Sequence, residues 1–311
     1  MVFENLEILK KLSLKEREKY FGNSKELNPI QTLHRSNMML NPLNLKHLNS
    51  LDNLEADAVT INLEDAIAPS RKKEALINTA LALSNLKSRN SKIIIRVNPL
   101  RLGGKEEILF LLKFPFDAIR IPKVKDADEV KKALEILPEP KELHLSLETK
   151  EAFNKISSLK VDKRVTTLNL GILDLLADLN LPQSLLSLTN PTIEYILSKF
   201  LIDSKSVNFW PVSFMYQDYK NLEEFKKWVY KEKELGFNSK ACMGPAQVEI
   251  VNEIFGITKE DLQRAKEIKE AFEEKSKEGI HGFMHPKYGF IDEPIYKDAL
   301  NILNTNKIQT F

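Results

Sequence analysis

Short apolar runs of strand length alternate along this chain with longer segments whose apolar residues recur at helical spacing. Eight runs qualify as strands: 32–40 (TLHRSNMML), 57–63, 92–97, 117–122 (DAIRIP), 142–148 (ELHLSLE), 166–171 (TTLNLG), 207–212 (VNFWPV) and 237–242 (FNSKAC). Helices are predicted between them near 43–54, 70–87, 105–113, 126–137, 149–160, 172–179, 191–204 and 218–235, with 245–255 after the eighth strand. Eight strand–helix units in succession predict an α/β fold of the (β/α)8 TIM-barrel type over residues 31–258, with its site at the carboxyl ends of the strands. The most informative run is DAVTINLEDAIAP, 57–69. There Val59, Ile61 and Leu63 occupy one alternation and Ala58, Thr60 and Asn62 the other, which suits a strand covered on both faces, and the run stops on two adjacent carboxylates, Glu64 and Asp65. A helix cap explains one acid at such a place but not two.

The flanks have other patterns. Residues 1–30 carry Leu6, Leu9, Leu12 and Tyr20 at roughly helical spacing and read as a helical extension that packs on the barrel or on a neighbouring subunit. Residues 259–311 hold a long charged helix, the turn-rich KYGFIDEP and a final helix at 293–304. They follow the eighth unit, so this C-terminal helical segment must fold over the mouth of its own barrel or of a neighbour's.

Composition changes this picture only by exclusion. Forty-six basic against forty-four acidic residues leave +2, which gives no electrostatic footprint for a nucleic-acid partner. The single cysteine, Cys242, rules out an intrachain disulfide and reads as a small buried hydrophobe. No apolar run of membrane length and no secretory signal stand out, so a cytoplasmic protein is expected.

The predicted strand ends collect the candidate chemistry: Arg35 beside the first, Glu64 and Asp65 after the second, Arg96 and Asn98 on the third, Lys123 after the fourth, Glu148 closing the fifth and Asp174 after the sixth. Glu148 and Asp174 lie one unit apart, and a hard divalent cation such as Mg²⁺ takes one or two such carboxylates together with water and substrate. Spacing alone leaves open the alternative that each merely opens a helix. Arg96 stands among Ile94, Ile95 and Val97, so its charge must reach the strand end or find a partner, either a substrate carboxylate or enolate or the acids Glu64 and Asp65. The five histidines form no ligand pattern.

TINLEDAIAP followed by a charged helix and IIIRVNP resembles the citrate lyase β-subunit family within the HpcH/HpaI aldolase superfamily, whose members show a D-L-E-D-A-V run and a V-R-V-N segment; the similarity runs from about Arg35 to the C-terminus. The family's I-E-T and G-A-E-D-L segments supply two metal carboxylates, and LETK and GILDL put Glu148 and Asp174 there, with Leu173 replacing an acid. The resemblance further implies that Arg96 lies beside the substrate with the acids Glu64 and Asp65 nearby. Arg35, which matches a first-strand arginine, and Lys123 join Arg96 as expected substrate contacts. Asp292 in GFIDEP corresponds to an acid/base aspartate that several members borrow from the adjoining subunit. Two further departures are MLNPLN in place of the usual V-P-G, and Gly244 in place of a histidine. Asp65 stands where the related pyruvate aldolases use a catalytic histidine. The activity implied is a Mg²⁺-dependent carbon–carbon lyase acting on an acyl-coenzyme A or acyl-carrier thioester such as citryl-, malyl- or citramalyl-coenzyme A, in a homotrimer or hexamer. The alternatives are a pyruvate-type aldolase on free hydroxy-oxo acids and a catalytically silent barrel serving as a binding or regulatory subunit.

Overall fold

The computed structural model describes residues 1–28 and 30–309; Pro29, Thr310 and Phe311 lie outside that description. Its central sheet is parallel throughout: β1 (Ser36–Leu40), β2 (Ala58–Asn62), β3 (Lys92–Arg96), β4 (Ala118–Ile121), β5 (Glu142–Leu147), β6 (Val165–Leu170), β7 (Trp210–Val212) and β8 (Lys240–Cys242). Neighbours in sequence are neighbours in space, β8 returns to pair with β1, and a parallel bridge between Ser213 and Lys240 brings the two ends of the sheet together. The result is the predicted (β/α)8 barrel.

Strand alternation divides the apolar from the polar. Val59, Ile61, Ile93, Ile95, Ile119, Ile121, Leu143, Leu145, Leu168 and Leu170 are buried on the alternation that faces the helices. The opposite alternation, toward the barrel axis, is small and polar. Ala58, Ile94 and Ala118 cluster in one layer, and the register then aligns Asn62 with Arg96, Arg96 with Arg120 and Arg120 with His144. Thr60 donates to Asn37 at 2.7 Å and Asn37 to Asn169 at 3.3 Å, so hydrogen bonds link β2, β1 and β6 inside the barrel.

Three strands begin later than their apolar runs. Residues 32–35 stay out of β1 because His34 holds φ 55°, which no extended strand accommodates. Residues 207–209 are lost to β7 because the preceding helix runs to Ser206 and Asn208 turns the chain with φ 61°. Residues 237–239 precede β8.

The chain divides into two compact units, Met1–Ile30 with His34–Ile254, and Gln31–Leu33 with the chain from Phe255 onward. Within the first, the N-terminal segment packs on the helix Lys72–Asn85: Arg17 is buried and donates to Asn78 at 2.8 Å and to the Leu9 carbonyl at 3.1 Å. Gly22 passes so close that a Cβ there would lie 2.4 Å from the Ser84 carbonyl oxygen. The second unit is a small core of Ala265, Ile268, Phe272, Ile291 and Ala299 between helices Lys259–Lys277 and Glu293–Gln309. The stretch read from sequence only as turn-rich forms an antiparallel hairpin, β9 (Gly282–His285) with β10 (Gly289–Asp292). Strands of four residues are too short to declare a period.

Candidate active site

The loop after β2 is built by Asn62. Its Oδ1 accepts the Glu64 amide at 3.1 Å while its Nδ2 donates to the Asp65 carbonyl at 2.7 Å, a local turn that lets Ala66 adopt φ 64°. Lys72 Nζ donates to the carbonyls of Leu63 and Glu64 and fixes the same turn from outside. Both acids then meet Arg96. One guanidinium nitrogen, Nη2, reaches Glu64 Oε2 at 2.8 Å, Asp65 Oδ2 at 3.2 Å and Glu148 Oε1 at 2.7 Å. Lys123, held at φ 53° beyond β4, closes the group: its ammonium lies 2.7 Å from Glu64 and 3.3 Å from Asp65, and its amide donates to Glu148 Oε2 at 3.0 Å.

Glu148 is 3 % exposed and is not the cap of the helix behind it; Thr149 takes that role, accepting the Ala152 amide at 3.3 Å. Space for its carboxylate comes from Gly171, where a Cβ would stand 2.3 Å from Glu148 Cγ. Asp174 sits in the first turn of the helix Ile172–Asp178, half-buried, and among the described residues its carboxylate has neither an ion pair nor a hydrogen bond. A cavity of about 440 Å³ opens here, lined by Asp65, Arg96, Arg120, Glu148 and Asp174 among others. Three predicted acids and Arg96 thus share one wall, with Glu64 and Lys123 directly behind them.

Electrostatics follow from crowding. Burial first, then the charges of Glu148 and Asp65, push the Asp174 carboxyl above its ordinary range. Burial likewise raises Glu64. Asp65 goes the other way: burial opposes its charge, but the hydrogen bond with Glu64 and the cations Arg96 and Lys123 outweigh it and hold the carboxyl below its ordinary value. Lys123 is raised, because Glu64 and Asp65 more than offset the desolvation of its ammonium.

Two predicted site residues are not on this wall. Arg35 precedes β1 and is at the amino end of the barrel, where its Nε and Nη2 grip Asp57 at 2.9 and 3.0 Å and its Nη1 donates to the Asn252 carbonyl at 3.2 Å. The expectation of a substrate contact is corrected: Asp57 leads into β2 from the same end, so the pair ties two strands and the last barrel helix together, away from the strand ends that carry Glu148. Asp292 belongs to the second unit, where its Oδ1 accepts the Ile295 amide at 3.3 Å at the start of the last helix. Two contributors were missed. Asn62 looks like one more small polar strand residue in sequence. Arg120 lies among Ala118, Ile119 and Ile121 just as Arg96 lies among isoleucines, and the same argument could have singled it out.

A family model described as HpcH/HpaI aldolase/citrate lyase matches residues 35–245, two thirds of the chain. The chain belongs to the HpcH/HpaI aldolase/citrate lyase family. Among its relatives in that family, the citrate lyase subunit beta of Haemophilus influenzae is 25% identical over 289 residues, covering 88% of this chain and 97% of the relative. Among solved structures, a citrate lyase of Burkholderia xenovorans LB400 superposes with a TM-score of 0.79 at 16% identity over 91% of this chain and 94% of that one. The CitE protein of Mycobacterium tuberculosis, solved in complex with magnesium, acetoacetate and coenzyme A, superposes with a TM-score of 0.67 at 18% identity, covering 87% and 97%.

Among the described residues no group of three or more His, Cys, Asp or Glu side chains is arranged to hold a metal ion, and no helix is long and apolar enough to cross a membrane. The carboxylates that line the cavity are Asp65, Glu148 and Asp174, and of these Asp174 is the one without a partner among the described residues. Such a set is a fit for a hard ion that keeps several waters, and a poor one for zinc.

Proposed function

We propose that this lyase of the HpcH/HpaI family is Mg²⁺-dependent and breaks, or in reverse forms, a carbon–carbon bond in a 3-hydroxyacyl thioester of the citryl-, malyl- or citramalyl-coenzyme A type. The observation that carries the reading is Asp174: a half-buried carboxylate on the cavity wall with Glu148, with its pKa raised and, among the described residues, no cation paired to it. Arg96, Arg120 and Lys123 face four carboxylates there, so the wall is one positive charge short before any ligand binds. A divalent ion reverses that balance and makes the site receptive to an anion. The bound coenzyme A of the M. tuberculosis relative, and the citrate lyase identity of the others, support the thioester class.

Glu148 and Asp174 would hold the magnesium, which when bound would supply a Lewis acid to the portion that leaves as a 2-oxo acid. The chain supplies the rest. Arg96 presents a fixed positive charge where the enolate of the thioester develops, and because Glu64 and Glu148 hold it in place it needs no reorganisation as that charge appears. Lys123 keeps Glu64 and Asp65 turned toward Arg96. Asp292 of a neighbouring copy in a homo-oligomer would protonate the enolate in cleavage, the hydroxyl proton having passed to solvent, and would take the methyl proton in condensation. The position of Asp65, where pyruvate aldolases use histidine, favours a thioester over a free hydroxy-oxo acid.

Purified protein incubated with citryl-, malyl- and citramalyl-coenzyme A should release a 2-oxo acid from at least one, detected by a coupled dehydrogenase, and only with Mg²⁺ or Mn²⁺ present. Glu148→Gln and Asp174→Asn should each abolish Mg²⁺ binding in calorimetry while the barrel stays folded by circular dichroism. Preference for free 4-hydroxy-2-oxo acids would transfer the protein to the aldolase reading, and unchanged Mg²⁺ affinity in both variants would sink the site.

A further inference from the structure

Among the described residues, each other cation at the base of the cavity has a carboxylate partner; Arg120 does not. Arg120 is 5 % exposed as a residue and borders the cavity. Its Nε donates to Ser146 Oγ at 2.8 Å, and among the described residues no carboxylate comes within ion-pair distance and no other protein acceptor meets its remaining N–H groups. Glu64 and Glu148, the nearest acids in effect, are already committed to Arg96 and to Lys123. Arg96 is its register partner on β3, so a second cation is buried beside the first. A buried cation without a partner is costly, and a guanidinium cannot escape the cost by losing its proton as a lysine can. The arrangement is intelligible if the partner arrives with the ligand.

We propose that Arg120 is a specificity-determining residue that receives a second carboxylate of the substrate, so that the 2-oxo acid released is a dicarboxylate. The inference rests on the lyase reading above and narrows its substrate class. Position supports it. Ser146, which orients Arg120, lies on β5 two residues before Glu148, the first residue beyond that strand, so the hydroxyl that holds the arginine is roughly 6–7 Å below Glu148 along the strand direction. A 2-oxo acid held through a Mg²⁺ ion on Glu148 and Asp174 would have its other end within reach of that level. A methyl or hydrogen there, as in a monocarboxylate, leaves the guanidinium unmet; a carboxylate takes two of its N–H groups at once.

Calorimetry on the Mg²⁺-loaded protein with chain-matched ligands tests this without any thioester: oxaloacetate against 2-oxobutyrate, and 2-oxoglutarate against 2-oxovalerate. The intact protein should bind the dicarboxylate of at least one pair about tenfold more tightly or better. Arg120→Met, which retains the apolar stem, should erase that preference while monocarboxylate affinity stays within about twofold, and Arg120→Lys should keep part of it. Thermal unfolding of the unaltered protein gives a second reading, since the preferred dicarboxylate should raise Tm more than its matched monocarboxylate. Equal affinities in the intact protein, or an Arg120→Met change that weakens both ligand types alike, would overturn the proposal. Because these ligands carry no coenzyme A, a dicarboxylate preference without thioester cleavage would leave Arg120 in its role and refute only the lyase.

Discussion

His34 joins an unusual backbone to an unusual titration. It sits at φ 55°, its carbonyl accepts the Trp210 indole N–H at 3.3 Å, and burial, followed by the nearby Lys92 charge, pushes its pKa down to about 4. The wholly buried His144 is also depressed, again chiefly by burial. A base whose folded pKa lies below its unfolded value of about 6.5 binds more protons in the unfolded chain, so stability should rise with pH between those values. The contribution of His34 is fully present above pH 6.5 and is lost as the pH falls through that value toward 4, by up to about 3 kcal/mol from a shift of this size. Urea unfolding at pH 7.5 and 4.5 should show a smaller loss for His34→Asn, a residue that tolerates the left-handed backbone, than for the natural chain. Equal losses would mean that His34 is solvated in the native state. The arginines show how far single residues were legible. Arg35, Arg96 and Arg120 look alike in sequence, each beside an apolar strand run, and only the end of the strand on which each stands separates structural clamp from site residue. That is a property of three-dimensional direction which spacing alone does not carry.

At the scale of elements, the barrel's closure is the point of least redundancy. β7 and β8 have three residues each, and the seam between them depends on the Ser213–Lys240 bridge. A fully buried ion pair reinforces it: Lys240 Nζ lies 2.6 Å from Glu232 Oε1, donates to the Phe214 carbonyl at 2.9 Å and sits 4.0 Å from the Phe214 ring centroid, while Ser213 Oγ donates to the same Glu232 oxygen at 2.6 Å. Removing one partner strands the other, so Lys240→Met should cost about 3–5 kcal/mol in denaturant unfolding, whereas Lys240→Met with Glu232→Leu should recover much of that loss. Additive losses in the double variant would show that the pair acts independently. Ser213 and Phe214 also line the cavity, so the seam positions the site as well as the fold. The strands and helices were readable because each strand has its outward alternation packed beneath helices, which forces runs such as Ile93–Ile95. The hairpin of β9 and β10 was not, since its inward residues Phe283 and Ile291 are too few to establish alternation.

For the whole molecule, sequence order alone suggested that the segment after the eighth strand–helix unit has no barrel position; the chain from Phe255 onward, with Gln31–Leu33, forms a compact unit with its own small core. What that unit does for catalysis depends on Asp292. In the single chain Asp292 has a sufficient local role, accepting an amide at the start of the last helix, and a residue with only that role would cost about 1 kcal/mol of stability when changed to alanine and little when changed to asparagine, with no effect on turnover. The proposed role, acid/base donor to the barrel of an adjoining copy, gives a different pattern. Asp292→Asn should then remove turnover while leaving Mg²⁺ affinity intact, because Glu148 and Asp174 remain. Asp174→Asn should remove both. Neither variant alone should be active, yet a cyclic trimer assembled from a one-to-one mixture gives some barrels a sound Asp174 and a neighbour with a sound Asp292. Random assembly makes that about a quarter of the sites, so mixing should restore about a quarter of the original activity. Size-exclusion chromatography with light scattering would verify that mixed oligomers form. Verified mixed oligomers without recovered activity would rule out donation from a neighbour, and activity retained by Asp292→Asn itself would reduce Asp292 to its capping bond.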